Sequence, residues 1–392
     1  MAFRILQTIT ENTNGMKKEN FTDENLVLIQ KEKGNICISI IAPTHKLSPE
    51  RRTDSLHLEK AIQRAKEYLQ NKYAGNNINP LTQAIDELYR QIDFNHNAEG
   101  IGLFVSANIK KLVQFYFPVK EKVTIEDSFE IRDLLYEAYY NKPYVVLLLS
   151  EKEAKLFNAR LNIVSEITDD HFPQKNKAEY EYNRPTRGSS YVGNAFEKGF
   201  EKDKSVLEEI RFESFFRQAD VLLNNYLVNQ TPLIVAGANK NLSYFRKITQ
   251  HDKNIVCYIP GNYILSDENE LGLLTWNATK LFLDNGKEKL ITDFKEKIGE
   301  GLGITGIQNI WKAAKEGRCF KLLVEKDLSV PGFIKNKDEY QLYLHPPNKT
   351  HHVLPDAVHD LIELVLEKNG EVIIVENDML KDFERIALIT RY

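Results

Sequence analysis

The chain has 392 residues, of which 42% are hydrophobic and 28% charged, with a formal net charge of −4. That length exceeds what one core usually organises, so two or three domains are expected, and the composition excludes wholesale disorder. The balance carries no basic excess that would mark a nucleic-acid binder by charge alone, though a local basic face stays open. The longest apolar run, Tyr144–Leu149, is far short of the roughly 20 residues that span a bilayer. The start, Met1-Ala2-Phe3-Arg4, leads into polar sequence without an apolar signal core, which predicts a cytoplasmic protein with no membrane partner. Cys37, Cys257 and Cys319 lie far apart inside apolar runs and read as buried free thiols.

In chain order, a β-branched run at 35–42 predicts a strand, and Leu58, Ala61, Ile62, Ala65, Tyr68 and Leu69 predict a helix. Pro80 opens a second helix with Leu81, Ala84, Ile85 and Leu88 on one face. Strands at 100–106 and 112–117 flank the polar tip Asn108-Ile109-Lys110-Lys111, and a boundary falls near Pro143.

A second unit opens with the apolar strand Tyr144–Leu149, followed by strands near 154–158 and 163–167. The polar segment 168–205, with its prolines and glycines, reads as a long functional loop. A long helix around 212–226 and a strand at 233–236 follow.

In the last unit, helical patterns cover 271–283 and 287–298. Thr305-Gly306-Ile307-Gln308 fits a capping box ahead of Ile310, Trp311 and Ala314, and Gly317 suits the left-handed residue that closes that helix. A strand at 319–324 leads into a polar excursion over 325–352, read as an exposed insertion. A helix from Pro355 and strands at 372–375 and 386–390 complete a crossover unit with parallel strands. The expected class is α/β, in three domains: 1–142, 143–266 with the long loop 168–205, and 267–392.

Several motifs carry candidate chemistry. Gly301-Leu302-Gly303-Ile304-Thr305-Gly306 matches dinucleotide-binding spacing, with Glu325 at ribose distance, but a charged helix rather than a strand precedes it. A turn between two helices is the better reading. His345, His351, His352 and His359 lack zinc-ligand spacing and read as surface histidines, and no metal or other cofactor is expected. Asp169-Asp170 follows a strand and reads as a solvated turn, with a metal-dependent nuclease as the sharper alternative. Arg184, Arg187, Gly188, Ser189, Ser190 and Tyr191 form the tip of the long loop, where the arginines suit phosphate contact.

The segment Ile310-Trp311-Lys312-Ala313-Ala314-Lys315-Glu316-Gly317-Arg318, running into an apolar strand, resembles the C-terminal domain of archaeal and eukaryotic class-1 release factors and Pelota. The stretch 360–376 and the closing Ile386-Ala387-Leu388-Ile389-Thr390-Arg391-Tyr392 are similar to the same domain. Glu153-Ala154-Lys155-Leu156-Phe157 and Leu233-Ile234-Val235-Ala236-Gly237 resemble the family's central domain. The likeness covers about 144–392 and is most similar to the family's bacterial branch, whose first domain is often divergent. Asn108-Ile109-Lys110 matches three residues of the codon-reading NIKS motif, but Lys111 replaces its serine.

The resemblance implies central and C-terminal domains like release-factor domains 2 and 3, and a ribosome-associated translation factor. Ribosomal RNA or tRNA and a translational GTPase are the implied partners. It also implies a GGQ tip on the long loop, where this chain has Arg187-Gly188-Ser189-Ser190-Tyr191 and no glutamine between Gln174 and Gln218. The expected role is therefore rescue, stalling or dormancy without ester hydrolysis, with no assigned catalytic residue. A peptidyl-tRNA hydrolase with a rewired tip and a protein-interaction scaffold without RNA contact are the alternatives.

Overall fold

The computed structural model describes residues 23–34, 36–45, 49–73, 78–95, 98–176, 196–228, 231–336, 338–348 and 350–392, without the side chains of 23–24 and 196–208. The chain divides into two compact units, 1–139 together with 291–392, and 140–290.

The first unit begins with α1 (Asp23–Lys31), β1 (Cys37–Pro43), α2 (Asp54–Lys72) and α3 (Asn79–Arg90). They are followed by β2 (Gly100–Val105), β3 (Lys110–Phe115), β4 (Lys122–Glu126) and α4 (Arg132–Tyr140). The strands form an antiparallel sheet in the order β3-β2-β1-β4. Period-2 alternation puts Ile38, Ile40 and Ala42 on one face, where Leu58, Ala61, Ala65 and Leu69 of α2 and Leu81, Ile85 and Leu88 of α3 cover them. Pro80 sits in the first turn of α3, where its missing N–H costs nothing.

The second unit is a three-layer α/β/α sandwich. It contains β5 (Tyr144–Leu149), β6 (Glu153–Arg160), β7 (Ile163–Glu166), β8 (Gln174–Lys175) and α5 (Phe196–Leu222). After them come β9 (Leu233–Gly237), α6 (Asn239–Ile248), β10 (Ile255–Pro260) and α7 (Glu268–Gly299), whose last residues lie beyond the unit boundary. The order is β10-β9-β5-β6-β7, with β8 on β6; β5, β9 and β10 run parallel. Val145, Leu147 and Leu149 face Phe215, Phe216 and Ala219 of α5 and Leu242 and Phe245 of α6. Tyr144, Val146 and Leu148 face the other way, toward Leu271 and Leu274 of α7. Helices on both faces explain why β5 is apolar at every position.

The chain then returns to the first unit with β11 (Gly303–Thr305), α8 (Ile307–Lys315), β12 (Cys319–Glu325), β13 (Gly332–Lys335) and β14 (Asp338–Tyr343). β15 (His351–Leu354), α9 (Ala357–Glu367), β16 (Glu371–Val375) and β17 (Ile386–Thr390) complete it. One sheet has the order β11-β17-β12-β16, with β12 and β16 parallel across α9 as the crossover pattern predicts. Gly317 has φ +76°, the left-handed geometry expected of the residue that ends α8.

Four expectations are corrected. The patterns at 271–283 and 287–298 belong to one helix, α7. Gly286 costs roughly 1 kcal/mol against alanine there, yet buried Leu283 and Lys287 flank it, with the Lys287 ammonium 4.3 Å from the Tyr140 ring centroid. The expected turn at 301–306 instead holds a short strand, β11, because pairing with β17 satisfies the backbone of 303–305. The capping box does not form: Thr305 belongs to β11, Gly306 is the N-cap residue, and Gln308 donates instead to the Leu342 carbonyl at 3.0 Å. Finally, 325–352 is no loose insertion but holds the sheet β14-β13-β15. Leu342 and Leu354 are buried, and the Trp311 indole donates to the Glu339 carbonyl at 3.0 Å.

Candidate functional site

The loop tip Arg184, Arg187, Gly188, Ser189, Ser190 and Tyr191 lies outside the described residues, as does the rest of 177–195; the expected loop 168–205 is shorter at its far end, because α5 begins at Phe196. The entry to that segment is firmly anchored. β8 pairs with β6, and the Asn176 N–H donates to the Lys152 carbonyl at 2.8 Å. Asp169 is no metal ligand. Its Oδ1 accepts the N–H groups of His171 (2.8 Å) and Phe172 (2.9 Å), and its Oδ2 accepts the Tyr226 hydroxyl at 2.6 Å. Desolvation opposes ionisation, but these donors win and hold the Asp169 carboxyl below its ordinary range. The link pins the loop entry to the turn that follows α5, and the Phe172 ring stands edge-on to Tyr226 at 5.5 Å.

The other sequence candidates also have structural roles. Glu325 is fully buried at the end of β12, accepting from the Leu380 N–H (2.9 Å) and Arg385 Nε (2.6 Å), so it holds a turn and offers no ribose contact. His351 and His352 lie on β15, whereas His359 is buried on α9, contrary to the surface reading. Its Nε2 is 3.0 Å from Ser128 Oγ. No acid orients the ring from behind: Nδ1 has no hydrogen-bond partner among the described residues, while Glu363 and Glu126 lie 3.6 and 3.9 Å from Nε2. A hydrolytic triad needs that orienting acid, and this pair lacks it. Among the described residues, no group of three His, Cys, Asp or Glu side chains is placed to hold a metal. Burial pushes the Cys37 thiol up to about 12 and Cys319 to about 11, so neither is a nucleophile near neutral pH. Cys257 is only half-buried, a departure from the expected burial. Asn108-Ile109-Lys110 occupies the β2–β3 turn, closed by the Ser106 N–H donating to the Ile109 carbonyl at 2.8 Å.

A buried polar junction ties the early and late segments of the first unit. Arg132 pairs with Glu130 (2.8 Å) and Asp356 (2.6 Å) and donates to the Leu328 carbonyl at 2.6 Å. Burial works against ionisation of Glu130, but the Arg132 guanidinium outweighs it and pulls that carboxyl well below the usual range. Asp356 also caps α9 by accepting the Val358 N–H at 3.1 Å. Nearby, burial raises Glu137 to about 8, although its carboxylate accepts the Tyr116 N–H at 3.2 Å.

The second unit has an open site that sequence reasoning missed. It lies at the carboxyl end of the parallel strands, the position where open α/β sheets bind ligands. Gly237 ends β9 there. A Cβ on it would stand 2.6 Å from the Leu149 carbonyl, so only glycine lets the strands close before α6 begins. Leu242, Phe245 and Ile248 of α6 face the core. Asn239, Lys240, Ser243, Arg246 and Lys247 make the opposite, exposed strip. Of these, Asn239, Ser243, Arg246 and Lys247 border, with Leu242 and with Tyr258 and Pro260 of β10, a cleft of about 330 Å³. The sequence signal was present as apolar residues at i, i+3 and i+6, but it spans only one ten-residue helix.

Residues 143–318 match the model of bacterial archaeo-eukaryotic release factor family 3. The expected likeness to the bacterial branch of the release-factor and Pelota family is borne out over that segment, which includes the whole sheet of the second unit. Among solved structures, an archaeal translation termination factor, aRF1, aligns over 96% of this chain and 100% of its own at 12% identity and TM-score 0.25. Pelota of Archaeoglobus fulgidus aligns over 75% and 84% at 16% identity and TM-score 0.36. S. cerevisiae Dom34, described as a translation termination-like factor that acts in RNA quality control and interacts with Hbs1, aligns over 74% and 73% at 11% identity and TM-score 0.39. No curated protein matches the chain. The likeness to that family rests on the match over 143–318.

Proposed function

We propose that the protein is a cytoplasmic, ribosome-associated translation factor that acts in rescue, stalling or dormancy and does not hydrolyse peptidyl-tRNA. The observation that carries the reading is the family match over 143–318, which spans the segment 168–195 and the sheet that holds its entry. On this reading Arg184, Arg187 and the Gly188-Ser189-Ser190-Tyr191 tip reach ribosomal RNA or tRNA near the peptidyl-transferase region. The residues after 267 would supply a contact for a translational GTPase, and 1–142 a divergent first domain.

Ester hydrolysis by the family's route needs a glutamine that positions water against the ester, and 175–217 contains none. Sucrose-gradient sedimentation of tagged protein, from growing and from starved cells, tests the association; absence from every ribosomal fraction refutes it. Release of labelled peptide from programmed ribosomes tests the chemistry. No release above background is expected, whereas release abolished by Gly188→Ala would establish a hydrolase with a rewired tip.

A further inference from the structure

We propose that the exposed strip of α6, together with Tyr258 of the adjoining strand β10, is a binding surface for single-stranded RNA. The choice of RNA rests on the ribosome reading; the surface itself rests on charge and ring geometry.

Arg246 lies over the Tyr258 ring with its guanidinium carbon 4.1 Å from the centroid. Lys240 stands 5.4 Å from the Phe212 centroid and 6.0 Å from that of Tyr244. Neither cation has a carboxylate in ion-pair range among the described residues, in a chain whose net charge is −4. Two of the nearby acids are engaged elsewhere, while Asp252 and Glu213 add negative charge beside Tyr258 and Lys247. Glu209 pairs with Lys247 at 3.0 Å, and Asp220 accepts from the Thr249 hydroxyl (2.6 Å) and the Gln250 N–H (3.0 Å). Two cations with no ion-pair partner among the described residues, each steadied by aromatic faces, therefore flank a polar strip.

Lys240 and Arg246 are six positions apart, about 9 Å of helix rise. A stacked strand advances about 3.4 Å per nucleotide, so the strip spans two or three phosphates. Asn239 and Ser243 lie between the cations and can donate to phosphate oxygens. Tyr244 and Tyr258 are half-buried and carry the cations on their faces, Arg246 over Tyr258 and Lys240 and Lys247 over Tyr244, so the rings hold these charges in place for phosphate oxygens and do not themselves stack on bases. A lipid surface fits poorly, because none of the large exposed apolar side chains lies on α6 or β10.

The test uses the full chain and a fluorescein-labelled 20-nucleotide oligouridine, read by anisotropy across a salt series. Lys240→Ala with Arg246→Ala is expected to weaken binding about tenfold and to flatten the salt slope by about 1.4, two charges at about 0.7 each. Arg246→Lys, which keeps charge and fold, should retain most of the slope. Unchanged affinity and slope in the double variant overturns the proposal, as does no binding of oligouridine by the wild type at low salt. Equal competition by polyglutamate at matched charge overturns it in favour of a generic anion surface. Ribosome pelleting run in parallel separates the two readings. If the strip binds oligouridine while the wild type never pellets with ribosomes, the ribosome reading fails and the surface stands. If ribosomes pellet the double variant normally and its oligouridine binding is unchanged, the surface fails and the ribosome reading stands.

Discussion

Arg132 satisfies two carboxylates and a carbonyl at once, so its removal leaves Glu130 buried with an uncompensated charge. Arg132→Met is expected to cost about 3–5 kcal/mol in denaturant unfolding; a loss below about 1 kcal/mol would show that the junction holds little of the first unit together. Glu137 acts in the opposite sense. Its carboxyl is raised from 4.5 to about 8 by burial, so between those values the folded state holds a proton that the unfolded state has released. Its contribution to stability is therefore complete below about pH 4.5 and is lost as pH rises toward 8. Glu137→Gln should remove that decline. Melting temperatures of wild type and variant at pH 5 and pH 8 check it, and parallel curves would refute it.

At the scale of elements, β5, β9 and β10 are parallel and closely paired up to Gly237, and α6 starts immediately beyond them. Gly237→Ala sets a Cβ against the Leu149 carbonyl at a distance that neither backbone can relieve by a rotamer change. The expected cost is roughly 1–3 kcal/mol, with the opening concentrated at the carboxyl ends of β5 and β9. Amide exchange on Leu149 and Ala238 reads it, and protection equal to wild type would contradict the clash. Most elements were legible because their periodicity is local. Tyr144–Leu149 is apolar throughout, and Leu58 to Leu69 recur at helical spacing. Two of the failures have one cause, a tertiary partner overriding a local signal: Tyr140 and Lys287 keep α7 continuous past Gly286, and β17 draws Gly303 into a strand.

For the whole molecule, the early segment 1–139 and the late segment 291–392 form one compact unit, joined through Arg132–Asp356, Ser128–His359 and the Lys326 ammonium on the Pro118 carbonyl at 2.7 Å. A chain ending at 290 should therefore lose protection in β1 and β4 while β5 and β9 keep theirs. Hydrogen exchange by mass spectrometry distinguishes this from an independent first domain, in which β1 would be unaffected. The α/β class, the strand-helix order after Pro143 and the release-factor likeness could be read from the sequence, because alternation, caps and family patterns are properties of contiguous residues. The loop tip Arg184 to Tyr191 was also singled out there, on charge and resemblance, and lies outside the described residues. Only the tertiary structure decided which segments share a core, why His359 and Glu325 are buried, and that Arg246, Lys240 and Tyr258 share one open strip. Those facts depend on residues distant in sequence meeting across a packed sheet, and no local pattern records the meeting.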